Sequence, residues 1–202
     1  MGPMDLRQPV VCLASVSPRR RELLAQIGVP HKVWGAHIDE TAHPGEMPRD
    51  YVMRMARDKA LAVRDRGEIL PVLAADTTVV LDDVIYGKPR NREEGVAMLQ
   101  RLSDRTHEVM TAVAIADMRG LALRLNVSSV RFRKLTSEEC NAYWETGEPH
   151  DKAGGYAVQG AAAVFIESLV GSYSGVMGLP LFETAELLRS AGIEYWRRPI
   201  EH

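Results

Sequence analysis

Several features of membrane, secreted and metal-binding proteins are missing from this sequence of 202 residues. No apolar run approaches the roughly 20 residues that a membrane-spanning helix needs. The N-terminus lacks the basic segment and apolar core of a secretory signal. The two cysteines, Cys12 and Cys140, form no CxxC pattern and fit a reducing compartment. None of the six histidines belongs to a metal-spaced pair such as HxxxH. We therefore expect a cytoplasmic protein that contacts no membrane.

An excess of charge of one sign is also missing. The sequence has 25 lysines and arginines and 27 acidic residues, so its net charge is −2. A broad polyanion-binding surface is therefore not expected, and we predict no nucleic-acid partner. A local basic pocket is compatible with this net charge. Length and composition fit one globular domain over residues 1–202, and they leave a monomer and a homodimer open. Residues 1–5 are set aside because they could be a tag remnant or a disordered end.

Three common catalytic signatures are missing as well. The chain has no GxxxxGK[ST] motif and no GxGxxG motif, so neither a P-loop nor a dinucleotide-binding turn is predicted. It has no GxSxG motif either, which makes a serine hydrolase a poor interpretation of its serines.

Helical and strand patterns alternate along the chain. Residues 10–14 form a short apolar run, Ser17 and Pro18 then predict a helix start, and Gly28 predicts its end. Arg119 and Gly120 separate two long β-rich stretches, which predicts an antiparallel pair. We therefore expect an α/β fold whose sheet is mixed and flanked by helices. The other expected strands cover residues 31–36, 72–75 with an extended continuation over 77–81, 84–86, 108–116, 121–132 and 164–170; the other expected helices cover 49–66, 91–102, 136–143 and 181–191.

The first candidate site runs from Ser15 to Arg21, where the first strand gives way to the first helix. A helix N-terminus carries free N–H groups and partial positive charge, which suit a phosphate. Ser15 and Ser17 add hydroxyls, and Arg19 and Arg20 add planar forks that match phosphate oxygens. Consecutive arginines in a first turn oppose the helix dipole, which favours an anion site over a solvated turn.

The second candidate is Asp76, which we expect directly after a buried strand, where α/β folds place their active crevice. A carboxylate there can hold a divalent cation or take a proton from water; the plainer alternative is an Asp that caps a turn. Thr77 follows it. Glu40 is a second candidate carboxylate, for which a surface position is the alternative.

Two lysines and two glycine-containing segments complete the set. Lys88 lies between Gly87 and Pro89 on a constrained loop, and Lys59 belongs to the second helix; either could equally be solvated. The glycines of residues 147–160 permit close approach to a ligand, and Gln159 there supplies an amide. Residues 171–181 either line the same cleft or pack against the sheet.

In series, these segments resemble the Maf family. Residues 15–20 are similar to its SxSPRR signature and residues 75–77 to its ADT motif. Residues 87–89 are similar to its GKP element, residues 147–160 to GEPxDKAGxYxxQG, and residues 171–181 to GSYxxVxGLPL. The resemblance covers nearly the whole chain in the family's order.

The resemblance implies two lobes around a cleft, related to the inosine-triphosphatase fold. It also implies hydrolysis of a nucleoside triphosphate to the monophosphate and pyrophosphate, with Mg²⁺ or Mn²⁺. Asp76 matches the catalytic carboxylate and, with Glu40, would hold the metal. Arg19, Thr77 and Gln159 match positions linked to substrate choice. The remaining matches to polar residues of the cleft are Ser15, Ser17, Arg20, Glu40, Lys59 and Lys88.

Residues 151–159 resemble the branch of the family that acts on dTTP and UTP. Two alternatives stay open. One is a pyrophosphatase for 7-methyl-GTP or another modified nucleotide, which a substrate panel separates. The other is a non-enzymatic nucleotide-binding regulator of cell division, which pyrophosphate release would exclude.

Overall fold

A computed structural model describes residues 8–196. The expectation about residues 1–5 lies outside them. The strands are β1 (Val11–Leu13), β2 (His31–Val33), β3 (Val72–Leu81), β4 (Val84–Tyr86), β5 (Thr106–Asp117), β6 (Gly120–Phe132) and β7 (Ile166–Val170). The α-helices are α1 (Pro18–Gln26), α2 (Pro48–Arg64), α3 (Arg92–Leu102), α4 (Ser137–Glu145), α5 (Tyr173–Met177) and α6 (Leu181–Ser190). Short 3-10 helices cover Glu148–Asp151, Ala153–Gly155 and Ala161–Phe165.

The seven strands form one mixed sheet in the order β2-β1-β3-β5-β6-β7, with β4 also paired to β3. The pairs β1–β2 and β1–β3 are parallel, and the others are antiparallel. The predicted mixed sheet flanked by helices is therefore confirmed. The predicted antiparallel pair is confirmed as β5 and β6, which are joined by a tight turn between Asp117 and Gly120.

Apolar residues pack at two ends of the long strands. At one end, α2 covers one face of the sheet, and α1 with α6 covers the other. At the other end, α3 and α4 pack on the last residues of β3 and the first residues of β5. These two packed ends form two lobes that share β3 and β5, as the fold prediction expects.

The edge of β3 is interrupted between the two lobes. β1 pairs with Val72 and Leu73, whereas β4 pairs only with Val79 to Leu81. Within the described part of the chain, no strand pairs with the intervening residues on that edge. The backbone edge of this part of β3 is therefore not covered by a neighbouring strand.

The helix starts follow local chemistry. Thr136 and Glu139 form the predicted capping box of α4, with Thr136 Oγ1 accepting from the Glu139 N–H at 3.2 Å and the Glu139 carboxylate accepting from the Thr136 N–H at 2.9 Å. At α3, Asn91 accepts from the Glu94 N–H at 2.9 Å. The Glu94 carboxylate accepts from the Arg90 N–H instead of the Asn91 N–H, so the second half of that pair is displaced by one residue.

Three local expectations are wrong. Asp76 does not follow a strand but lies inside β3, because β5 pairs with β3 continuously as far as Val80. β2 ends at Val33, short of residue 36. Ala161–Phe165 forms a 3-10 helix, so the last strand begins at Ile166 and not at residue 164. The helix α5 was not predicted.

Candidate active site

A pocket of about 550 Å³ lies in the interrupted edge of β3. Its wall includes the start of α1, part of α2, the middle of β3, the loop after β4 and the segment that precedes Gly160. The structure brings all ten candidate residues to this pocket: Ser15, Ser17, Arg19, Arg20, Glu40, Lys59, Asp76, Thr77, Lys88 and Gln159. Their convergence is a property of the fold, because they come from segments that are far apart in the sequence.

Lys59 joins the two candidate carboxylates. Its Nζ lies 2.6 Å from Asp76 Oδ1 and 2.7 Å from Glu40 Oε1. Lys59 and Asp76 are buried, at 8% and 7% exposure, whereas Glu40 is exposed. A buried charge is costly unless it is paired, so this arrangement holds two carboxylates and one ammonium at a single point in the pocket.

The two carboxylates differ in pKa. Burial raises the pKa of Asp76 above its ordinary value, and the charges of Lys59 and Arg20 offset only part of that rise. For Glu40, partial burial acts in the same direction, but the hydrogen bond and charge of Lys59, together with Lys88 and Arg20, outweigh it and lower the pKa. Asp76 is therefore the stronger base of the two.

The start of α1 forms the second wall. Ser17 is the N-cap residue and Pro18 is in the first turn, as predicted, but the Ser17 side chain makes no capping hydrogen bond. Instead the Ser17 N–H donates to Ser15 Oγ at 3.2 Å. Pro18 has no N–H and the Arg21 N–H donates to the Ser17 carbonyl at 3.3 Å, so the Arg19 and Arg20 N–H groups are the first-turn donors that suit an anion. The Arg19 side chain extends from this turn, with Nε donating to the Met177 carbonyl at 3.3 Å.

Arg20 is held by three acceptors. Its Nε donates to the Gly178 carbonyl at 2.7 Å, Nη1 to Ser15 Oγ at 3.4 Å and Nη2 to Thr77 Oγ1 at 3.2 Å. Gly178 has a φ of +119°, a region that residues with a Cβ rarely adopt. The guanidinium is therefore fixed in the pocket wall by elements that are far apart in the sequence.

The loop after β4 and the glycine-rich segment meet at the other side. Lys88 is exposed and lines the pocket. The Gly154 N–H donates to the Gly87 carbonyl at 3.0 Å, which joins the two loops. A Cβ on Gly154 would lie 2.8 Å from the Val79 side chain, and its φ is +68°. Close packing on β3 therefore requires a glycine at this position.

Glu148 closes the glycine-rich segment at its base. Its carboxylate accepts from the Ala161 N–H at 2.9 Å, the Ala162 N–H at 3.3 Å and the Tyr143 hydroxyl at 2.6 Å. Tyr143 Oη in turn accepts from the Ala157 N–H at 3.3 Å. These bonds tie both ends of the segment to α4, so the loop between them has a defined shape. Gln159 lies on it, exposed and facing the pocket.

Sequence reasoning missed several residues that shape the pocket. Tyr51 lines it, and its hydroxyl donates to the Glu40 carbonyl at 3.0 Å. Tyr156 also lines it, and its hydroxyl lies 2.8 Å from Nε2 of the buried His107. Thr111 lies behind Thr77, with 3.0 Å between their hydroxyl oxygens. Tyr156 is the tyrosine of the 147–160 motif but has no role assigned by it, and Tyr51 and Thr111 belong to no motif, so packing identifies their part in the pocket.

The carboxylates fit a divalent cation only in part. Among residues 8–196, no group of three or more His, Cys, Asp and Glu side chains is arranged to hold a metal ion. Asp76 Oδ1 and Glu40 Oε1 converge on the Lys59 ammonium, which leaves one oxygen of each carboxylate for a cation. Mg²⁺ in nucleotide enzymes is commonly bound by one or two carboxylates together with substrate phosphates. The donor set therefore fits a cation whose remaining ligands are phosphate oxygens and water.

Comparison with known proteins identifies close relatives. The sequence profile described as "Maf-like protein" matches residues 10–191. A dTTP/UTP pyrophosphatase of Alkalilimnicola ehrlichii is 54% identical over 196 residues, which are 94% of this chain and 96% of that protein. A dTTP/UTP pyrophosphatase of Saccharophagus degradans is 50% identical over 92% of this chain and 90% of its own length. One of Methylococcus capsulatus is 52% identical over 90% of each.

Among solved structures, the Ham1 protein of Staphylococcus aureus is similar with a TM-score of 0.41 and 13% identity, over 60% of this chain and 71% of that chain. A similarity of that size supports no inference about the site. Within residues 8–196, no helix is both long and apolar enough to cross a membrane.

Proposed function

Since the chain belongs to the Maf-like protein family, we propose that it hydrolyses dTTP and UTP to the monophosphate and pyrophosphate. One observation carries the proposal: a single pocket joins a buried carboxylate of raised pKa to a helix N-terminus flanked by two arginines. The carboxylate suits activation of water, and the cationic end suits the charges of a triphosphate.

The cationic groups bind the phosphates. Arg19, Arg20 and Lys88 approach the pocket from two sides, and the first turn of α1 adds N–H donors. Because Arg20 is already fixed by three hydrogen bonds, it loses little conformational freedom when it contacts phosphate oxygens. Positioning and charge stabilisation of this kind supply most of the rate in phosphoryl transfer.

Asp76 orients the attacking water and takes its proton. The water oxygen forms a bond to the α-phosphorus while the bond from that phosphorus to the α–β bridging oxygen breaks. The electron pair of the broken bond leaves with pyrophosphate, and the proton passes from Asp76 to solvent. A carboxylate whose pKa is raised by burial accepts this proton more readily than an exposed one.

Asp76 and Glu40 would hold Mg²⁺ or Mn²⁺ together with the phosphates. Such a cation neutralises phosphate charge and lowers the pKa of water. Lys59 keeps the two carboxylates directed at the same point and offsets their charge.

Gln159 contacts the base. The exposed amide offers a donor and an acceptor, which match the O4 and N3–H edge that uracil and thymine share. The segment that carries it is held in shape by Glu148. A cytosine would present the opposite pattern, so the proposed substrates are dTTP and UTP.

We also propose that the protein is cytoplasmic, since both cysteines are buried and free, and that nucleic acid is not a partner. A homodimer remains an alternative to a monomer, and light scattering distinguishes them.

Product analysis in ¹⁸O-labelled water tests the reaction. Purified protein with Mg²⁺ or Mn²⁺ should release pyrophosphate from dTTP and UTP, with the label in the monophosphate. Release of orthophosphate and a diphosphate would contradict attack at the α-phosphorus. Preference for 7-methyl-GTP would favour the modified-nucleotide alternative, and absence of turnover would favour a binding protein.

A further inference from the structure

We propose that the fully buried Thr111 is a positioning residue: it orients the Thr77 hydroxyl so that Thr77 holds Arg20 at the phosphate end of the pocket. The identity of the bound anion rests on the proposed function. The hydrogen-bond chain itself rests on distances between described residues.

The number of protons that each group carries determines which group donates and which accepts in each of these hydrogen bonds. The Thr111 hydroxyl lies 2.8 Å from the Gly175 carbonyl, which can only accept, so Thr111 donates its single proton there. The contact of 3.0 Å between Thr111 and Thr77 then requires Thr77 to donate. With its proton committed, Thr77 Oγ1 accepts from Arg20 Nη2 at 3.2 Å.

The same count assigns the rest of the Arg20 guanidinium. A guanidinium has five N–H groups, and Arg20 directs one to each of Gly178, Ser15 and Thr77. One N–H on each terminal nitrogen is left for phosphate oxygens. Both remaining groups keep their direction only while the three acceptors hold the guanidinium plane.

This series of hydrogen bonds gives Thr77 a role different from the substrate choice that the family resemblance implies. Its proton is not available to a base, so it selects no base by donation. It acts on the phosphates through Arg20, and its effect on turnover should be the same for every nucleotide. Thr111 on β5 pairs with Thr77 on β3 and acts on Arg20 through it, so its effect on turnover should also be the same for every nucleotide.

Substitution of Thr111 is expected to leave the fold intact. Thr111 has 0% exposure, and valine has nearly its shape. The Gly175 carbonyl also accepts from the Gly178 N–H at 2.9 Å, so it keeps a partner without the threonine hydroxyl. Thr184 offers a matched control, because it too has 0% exposure but its Oγ1 has no hydrogen-bond partner among the described residues.

Calorimetry with inorganic tripolyphosphate is the first readout, because it requires no turnover. Thr111→Val should bind tripolyphosphate roughly 3- to 12-fold more weakly than wild type, as expected for one hydrogen bond. KM should rise for dTTP and UTP by the same factor. Thr111→Ser restores the hydroxyl and should recover most of the affinity, whereas Thr184→Val should bind like wild type.

A double-mutant cycle separates positioning from a general structural effect. In an Arg20→Ala background, Thr111→Val should cause no further loss, because the residue through which it acts is gone. An additive loss, or a Thr111→Val protein with wild-type affinity, would overturn the proposal. If Thr111→Val does not fold, the same cycle with Thr77→Val decides: a loss that persists without Arg20 overturns it.

Different results contradict the proposed function and the proposed role of Thr111. A wild-type protein that binds tripolyphosphate with the expected pattern of variants but turns over no nucleotide contradicts the proposed function and leaves the role of Thr111 standing. A protein that hydrolyses dTTP with equal affinity in wild type and Thr111→Val contradicts only the role of Thr111.

Discussion

The Lys59 ammonium lies 2.6 Å from the Asp76 carboxylate, and both side chains are buried. Lys59 occupies a position in the apolar stripe by which α2 packs on the sheet, between the buried residues Ala56 and Ala60. A lysine in such a stripe must be paired, because an isolated buried ammonium would cost several kcal/mol. The sheet supplies the partner, and the pair places a basic carboxylate at the pocket floor.

Asp76→Asn should lower turnover of dTTP and UTP by at least ~100-fold, which is the lower range for loss of a general base. The amide keeps the shape of the side chain but removes its charge and its capacity to accept a proton. Steady-state pyrophosphate release measures the change, and circular dichroism verifies the fold. Asp83→Asn, on an exposed turn with a φ of +60°, is the matched control. Near-normal turnover of a folded Asp76→Asn protein would move the catalytic role to another carboxylate, with Glu40 the first to test.

Lys88→Ala should raise KM for every nucleotide to a similar extent, roughly 10- to 100-fold for the loss of one charge-assisted contact. Phosphates carry no base identity, and the exposed ammonium lines the pocket opposite the start of α1. Arg19→Ala should behave in the same way. Lys134→Ala, which removes an exposed lysine elsewhere, is the control. An effect of Arg19→Ala confined to one base would show that Arg19 contacts the base instead.

Gln159→Ala should reduce discrimination between uracil and cytosine. In the wild type, an amide that the bound nucleotide buries and that cytosine leaves unpaired costs about 1–3 kcal/mol, or roughly 5- to 150-fold in kcat/KM. Thymine differs from uracil by a methyl group, which a pocket weighs weakly, so dTTP and UTP should both be substrates. The measurement is kcat/KM for dTTP, UTP, CTP and 7-methyl-GTP in both proteins. An equal loss for all four nucleotides would refute base contact by Gln159.

His107→Gln should flatten the dependence of stability on pH. Burial lowers the pKa of His107 from 6.5 to about 4, so between these values the unfolded chain binds a proton that the folded chain does not. Stability is therefore full above pH 6.5 and falls as the pH drops towards 4, by roughly 3 kcal/mol from this group alone. Urea unfolding between pH 7 and 4 measures the slope. His31→Gln, at a half-buried histidine on β2, is the control, and equal slopes in wild type and His107→Gln would contradict the assignment.

Local patterns predict the elements of this protein well where the cause is local. The capping box of Thr136 and Glu139 marks a helix start through hydrogen bonds between near neighbours. The proline after Ser17 and the glycine at residue 28 mark helix ends through their own backbone conformations. The polar motifs, taken in their order along the chain, are also sufficient by themselves to identify the family.

What tertiary structure alone decides is how distant residues meet. The apolar residues around Asp76 in the sequence cannot show that pairing with β5 extends β3 past Asp76. Nor can they show that the opposite edge of β3 has no strand partner between the residues that pair with β1 and those that pair with β4. Thr111 has no motif, and its importance comes from a carbonyl 64 residues away. Helix caps involve residues within one turn of each other and can therefore be predicted from the sequence. The paired charges and oriented hydroxyls of the pocket depend on strand register and packing, which only the complete fold sets.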